Sequence, residues 1–318
     1  MQKILVTRKM PPAVEDRLAA SYDATFNPSD EIMTTEQLLD RADGMDGLLI
    51  CPSEPLSPET IAKLPNSVKI VATFSVGHEH VALDAARDKG LVVTNTPDVL
   101  NDATADITML CLLGAARRAY EGEAMVRKDQ WKGFRTTMLL GTHVSGKPLG
   151  IVGMGRIGQA VARRARGFDM KIHYFNRTRL TPDREAGATY HDDAQSLFSV
   201  SEFLSINCPS TDETRRLLNA ESIAWLPDGA IVVNTARGDI VDDEALIAAL
   251  KSGKIAAAGL DVYDGEPALN PAYRGLENTF LMPHLGSATV ETRNAMGFCA
   301  CDNLDAFFTG KPCPTPLT

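Results

Sequence analysis

Leu149-Gly150-Ile151-Val152-Gly153-Met154-Gly155-Arg156-Ile157-Gly158 is the stretch whose reading decides the fold. It opens on a short apolar run, turns through G-x-G-x-x-G, and continues in a helical pattern over residues 159–166. Strand, glycine turn and helix in that order are the context a dinucleotide fingerprint requires. Gly153 suits the tight turn, Gly155 lets a pyrophosphate approach the backbone, and Gly158 lets the helix pack on the strand. The helix start, with Arg156 and Ile157, adds partial positive charge and free N–H groups for phosphate.

Outward from this turn, apolar runs alternate with helical patterns. Downstream, residues 171–175, 203–207, 230–234, 257–262 and 279–282 read as strands. With residues 149–152 they make six strands, as in a doubly wound Rossmann domain. Upstream, residues 4–7, 47–51, 68–74 and 91–94 read as strands, and 13–20, 36–42, 59–64 and 81–89 as helices. Continuous apolar runs are the mark of parallel strands covered on both faces. The first hundred residues therefore form a second, smaller α/β layer. Between the two series, residues 102–128 read as one long helix, with Asn101 or Asp102 as its cap, and 130–146 as irregular chain. A final amphipathic helix runs from Thr289 to Phe308.

The composition agrees with this. At roughly 150 residues per domain, 318 residues suggest two domains. A 44% hydrophobic and 23% charged chain is ordinary for a globular protein. The net charge of −9 gives no general attraction for nucleic acid or an anionic membrane. No apolar run approaches the roughly 18 residues of a membrane span, and the start turns polar too soon for a signal peptide. The six cysteines show no C-x-x-C and no metal-ligand spacing, so they read as reduced thiols of a cytoplasmic protein without a metal.

The end of the strand at 171–175 selects the dinucleotide. NAD sites usually place Asp or Glu about 20 residues after the glycines, on the ribose 2′-OH. Asn176 stands there instead, 18 residues after Gly158, and Arg177-Thr178-Arg179 follow. Loss of the carboxylate removes repulsion against a 2′-phosphate. Arg177, with Arg179, can bind that phosphate by charge-assisted hydrogen bonds, and Thr178 adds a hydroxyl. NADP(H) is therefore expected over NAD(H).

Ligands in open α/β sheets sit beyond the carboxyl ends of strands. After residues 230–234 comes Thr235-Ala236-Arg237-Gly238, after 257–262 comes Tyr263-Asp264-Gly265-Glu266-Pro267, and after 280–282 comes Pro283-His284-Leu285-Gly286. One edge thus receives a guanidinium, a carboxylate and an imidazole, the parts needed to reduce a carbonyl beside a carboxylate.

These stretches, with the fingerprint and Ser287-Ala288-Thr289, resemble the D-2-hydroxyacid dehydrogenase family over essentially the whole chain. Within it the chain is most similar to the NADPH-dependent glyoxylate/hydroxypyruvate reductases. The resemblance implies a flavodoxin-like substrate domain from residues 1–99 and 287–318, a Rossmann cofactor domain from 100–286, a cleft that closes on ligand, and a homodimer formed largely through the cofactor domain. It implies His284 as general acid, Glu266 orienting the imidazole and favouring its protonated form, and Arg237 on the substrate carboxylate. The loop Ser75-Val76-Gly77 is expected to supply backbone N–H groups to the same carboxylate. Asp261, Thr104, Pro209, Ala236 and Gly286 are expected along the cofactor. His78, His80, His143, His173 and His191 read as structural, with His80 a partial exception because the family often has a histidine in this loop. The arginine-rich stretch 163–166 reads as a solvated face.

The expected reaction is NADPH-dependent reduction of glyoxylate or hydroxypyruvate to the D-2-hydroxy acid. A reductase of a bulkier acid, such as 2-ketogluconate or phenylpyruvate, is the alternative. A dinucleotide-sensing binding protein on the same scaffold is the rival of a different class.

Overall fold

Two parallel sheets organise the protein. The computed structural model describes all 318 residues and divides them into one unit of residues 1–100 with 287–318 and a second of residues 101–286. Both sheets answer to the family resemblance, five strands in the first unit and seven in the second.

The first unit runs β1 (Lys3–Val6), α1 (Pro12–Ser21), β2 (Asp23–Thr25), α2 (Thr35–Arg41), β3 (Gly47–Ile50), α3 (Pro58–Lys63), β4 (Ile70–Thr73), α4 (Leu83–Lys89) and β5 (Val92–Thr94). Its strand order, β2-β1-β3-β4-β5, is the flavodoxin-like one. β3 and β4 are buried at every residue, as central strands covered on both faces must be. Thr34 and Ser57 cap α2 and α3 by accepting the Gln37 and Thr60 N–H groups, each worth about 1 kcal/mol. Ala82 precedes α4 and has no side chain to do the same.

The second unit runs α5 (Asn101–Ala116), α6 (Ala119–Arg127), β6 (Pro148–Val152), α7 (Arg156–Arg166), β7 (Lys171–Phe175), α8 (Pro182–Glu185), β8 (Thr189–His191), α9 (Ala194–Val200), β9 (Phe203–Ile206), α10 (Ala220–Trp225), β10 (Ala230–Asn234), α11 (Asp243–Ser252), β11 (Ile255–Leu260) and β12 (Thr279–Leu281). The order β12-β11-β10-β9-β6-β7-β8 reverses direction between β6 and β9. That is the doubly wound pattern, with its switch point beside the glycine turn. α12 (Val290–Phe308) then returns to the first unit, where it packs on α1 and β4.

Three expectations change. The helix expected over 102–128 is two helices. The Thr142 N–H donates to the Ala116 carbonyl at 2.8 Å, removing the acceptor the next turn would use, and Arg118 turns left-handed at φ +53°. Asp102 lies inside α5 and pairs with Arg163 and Arg164. The stretch 163–166 is therefore solvated only in part: Arg163 is exposed, whereas Arg164 also pairs with Asp106, tying α7 to α5. Two short strands, β2 and β8, were not expected. Each is three residues long, at a sheet edge, and carries no apolar run.

Candidate active site

The glycine turn follows β6 directly. Gly153 has φ +91°, and a Cβ there would lie 2.6 Å from the Cys208 nitrogen. A side chain is excluded by conformation and by space. A Cβ on Gly158 would lie 2.3 Å from the Gly153 carbonyl oxygen, so the first turn of α7 rests on the loop itself. Gly155, the residue before α7, has nothing within 4 Å of where a Cβ would be. The gap is thus at the helix start, where N–H groups are unspent. Beside it, the Asn207 Nδ2 is a buried donor with no partner, while its Oδ1 accepts from Ser205. An open gap, a helix N-terminus and an orphaned donor together fit a dinucleotide phosphate group.

At the end of β7 the Asn176 Oδ1 accepts the Met154 N–H at 2.6 Å, so Asn176 also holds the glycine loop. The two arginines part company here. Arg179 donates to Glu185 at 2.7 Å and lies over the Tyr190 ring, so its charge is spent inside the unit. Arg177 is exposed and has no partner, and Thr178 is exposed beside it. Of the pair, Arg177 is the cation left for a 2′-phosphate.

The second half of the site follows β10, β11 and β12, which are adjacent in the sheet. Asn234 shapes the first turn: its Oδ1 accepts the Ala236 N–H and its Nδ2 donates to the Arg237 carbonyl. Arg237 is half-buried. A Cβ on Gly238 would fall 1.9 Å from the Tyr263 carbonyl carbon, so this turn lies flat on the loop that carries Glu266. Glu266 meets His284 Nδ1 through Oε1 at 2.5 Å and accepts the Tyr263 N–H through Oε2 at 3.2 Å. Burial alone would push the Glu266 carboxyl up. The bond and charge of His284, the Tyr263 N–H and the charge of Arg237 outweigh it and hold the group below the usual carboxylate range.

His284 has φ +56°, a left-handed backbone that a non-glycine residue enters at a cost. The next two N–H groups explain its persistence. Leu285 donates to Asp261 Oδ1 at 2.7 Å and Gly286 to Oδ2 at 2.8 Å. Asp261 is 1% exposed. Burial pushes its carboxyl up, opposed by those two bonds and by the charge of His284. Both its oxygens are therefore engaged in the turn that presents the imidazole. Thr104 on α5 donates to the Gly286 carbonyl, and Thr108 links to Thr235 at 2.7 Å. Pro209 is exposed after β9, its carbonyl bonded by Thr214.

In the first unit, the loop after β4 is tied by its carbonyls. Ser75 Oγ donates to the Gly77 carbonyl at 2.7 Å, and Asn95 Nδ2 to that of Val76 at 2.8 Å. Thr73 Oγ1 bridges Ser75 Oγ and His80 Nε2. The N–H groups of Val76 and Gly77 have no partner within the protein, so both are open to an acceptor.

Sequence reasoning missed Asn207, Asn234 and the Thr108–Thr235 link. Asn207 and Asn234 each follow or end an apolar run, which is the one signal that could have marked them. The histidines His173 and His191 bond each other, Nδ1 to Nε2 at 3.0 Å.

Comparison with known proteins gives the family. The family profile "D-isomer specific 2-hydroxyacid dehydrogenase, NAD binding domain" matches residues 109–286. The chain is 47% identical over 311 residues to a glycerate dehydrogenase of Hyphomicrobium methylovorum, covering 97% of each chain. It is 40% identical over 318 residues to a glyoxylate reductase of Pyrococcus furiosus, covering 98% of this chain and 94% of that one. Among solved structures, it is similar to an NADPH-dependent glyoxylate/hydroxypyruvate reductase from Sinorhizobium meliloti in complex with NADP and malonate. There the TM-score is 0.89 at 33% identity, over 100% of this chain and 97% of that one.

Proposed function

The chain belongs to the D-isomer specific 2-hydroxyacid dehydrogenase family, and from that premise we propose that it reduces glyoxylate and hydroxypyruvate with NADPH. The observation that carries the reading is the bond between His284 Nδ1 and Glu266 Oε1, with Arg237 acting on the same carboxylate. A nicotinamide, when bound, supplies the hydride to the C2 carbonyl carbon. His284 gives the proton, from Nε2, to the carbonyl oxygen. Glu266 holds Nδ1 and so fixes which nitrogen faces the substrate. Arg237 holds the carboxylate and polarises the carbonyl. In the first unit, the open N–H groups of Val76 and Gly77 are the donors proposed for substrate. Asp261 keeps the His284 turn in its left-handed form. Thr104, Ala236, Gly286 and Pro209 line the cofactor.

NADPH is favoured by Asn176 where an acid would stand, and by the unpartnered Arg177 with Thr178 beside it. The relative named glycerate dehydrogenase fits the same reading, because oxidation of glycerate at C2 gives hydroxypyruvate. A homodimer through the second unit is part of the proposal. Tyr120, Trp131, Phe134 and Leu140 are each more than half exposed there, large apolar side chains that a partner subunit would cover. A sedimentation mass of one chain would reject the dimer.

The test is NADPH and NADH oxidation with glyoxylate, hydroxypyruvate, 2-ketogluconate and phenylpyruvate side by side. Turnover of the first two with NADPH is expected. Turnover only with a bulky acid moves the specificity. Cofactor binding without turnover of any acid overturns the enzyme reading in favour of a dinucleotide-sensing protein.

A further inference from the structure

We propose that Arg293 is a specificity residue that takes the oxygen carried on C3 of the substrate. The inference rests on the reading of the protein as a 2-oxo acid reductase and goes one atom further into the substrate. Arg293 lies in the first turn of α12 and is half-buried. Its Nε donates to the Ser287 carbonyl at 3.3 Å, and its guanidinium stands over the Phe74 ring, 5.9 Å from the centroid. Its charge also reaches the Cys51 thiol, just after β3. It therefore belongs to the carboxyl edge of the five-stranded sheet, the edge that carries the Val76 and Gly77 N–H groups.

The terminal nitrogens set Arg293 apart. The first unit holds four other arginines, and each has a use for its fork. Arg8 donates through its terminal nitrogens to Ser53, Arg17 to Asp302 and Asp305, Arg87 to Asp84 and the Leu317 carbonyl. Arg41 reaches Met33 sulfur and the Phe26 carbonyl. Neither Nη1 nor Nη2 of Arg293 has a partner within the protein. A half-buried guanidinium carries donors that need oxygen acceptors. The Nε bond and the Phe74 ring limit where the guanidinium can turn, so the open fork is partly pre-organised.

A carboxylate held on the Val76 and Gly77 N–H groups leaves the rest of a three-carbon acid close to this edge. From carboxylate to C3 oxygen such an acid spans about 4–5 Å by ordinary bond lengths. Glyoxylate has no C3 and offers Arg293 nothing. Hydroxypyruvate offers a hydroxyl. Arg293 thus separates the two acids.

The experiment compares kcat/KM for hydroxypyruvate and glyoxylate in wild type, Arg293→Met and Arg293→Lys. Met keeps an apolar stem over Phe74, and Lys keeps the charge. The expected result is a hydroxypyruvate-to-glyoxylate ratio lowered about 10- to 100-fold in Arg293→Met, the worth of one hydrogen bond to a charged group. Arg293→Lys should recover part of it. A ratio unchanged in both variants, or an equal fall on both acids, overturns the role of Arg293 and leaves the enzyme reading intact. Should Arg293→Met fail to fold, the ratio in Arg293→Lys decides. Wild type that reduces neither acid overturns both readings together.

Discussion

The carboxyl edge of the seven-stranded sheet has two halves, divided where β6 meets β9, and they are built from different materials. Beyond β6 and β7 the protein offers backbone: a glycine turn, the first N–H groups of α7, and one free cation at Arg177. Beyond β10, β11 and β12 it offers side chains: Arg237, Glu266 and His284, aimed by the buried groups Asn234 and Asp261. Binding a phosphate needs many weak donors in fixed positions, which main chain supplies. Moving a proton needs one group of the right acidity, which main chain lacks. Each half also holds a paired histidine. His284 is paired with the Glu266 carboxylate. His173 and His191 are paired with each other, and burial pushes both below the ordinary histidine value.

If the halves do separate binding from chemistry, His284→Ala should lower kcat by about 10²–10⁴-fold while the NADPH dissociation constant, read by fluorescence, stays put. Loss of both would merge the halves. Arg177→Ala should do the opposite, raising KM for NADPH about 10- to 100-fold and sparing kcat and NADH. An unmoved NADPH/NADH preference would remove Arg177 from the site. Asp261→Asn tests whether that carboxylate belongs to the chemical half. One acceptor replaces two, so kcat should fall about 10-fold or more, with a changed pH–rate profile and unchanged NADPH affinity. A loss of NADPH affinity instead would assign Asp261 to the cofactor.

The smallest effect concerns the neutral histidine pair. Because both folded values lie below 6.5, the unfolded chain binds these protons first as pH falls. The pair's stabilising share is complete above that pH and is lost as pH falls through the depressed values. Among the groups it faces are Ser196, Lys171, Asp192 and Asp193. His191→Gln should flatten part of the fall in Tm between neutral and mildly acid buffer, on the order of 2–4 °C for each kcal/mol. Catalysis at neutral pH should not change. A Tm slope identical to wild type would show that the pair does not titrate as described.

The chemical half was more legible in the sequence than the supports behind it. Arg237, Glu266 and His284 stand out because strong side chains follow apolar runs. Asp261 also ends such a run, but nothing local shows that both its oxygens turn toward residues 285 and 286. Arg177 and Arg179 look equivalent as letters. Only the position of Glu185, six residues on, separates them. The break after Ala116 was hidden for the same reason: the N–H that ends the helix comes from Thr142, far along the chain. β2 and β8 were hidden differently, being edge strands too short and too exposed to carry a pattern.

The first unit is closed by residues from the far end of the chain. Arg17 and Tyr22 reach Asp305, and the Leu317 N–H completes the edge of β5 at Val93. The second unit is one uninterrupted stretch. During synthesis residues 101–286 emerge as one continuous stretch, while residues 1–100 must wait for α12 and residues 309–318. Until they arrive the first unit is left with an unpaired β5 edge, the kind of exposed strand that invites wrong pairing.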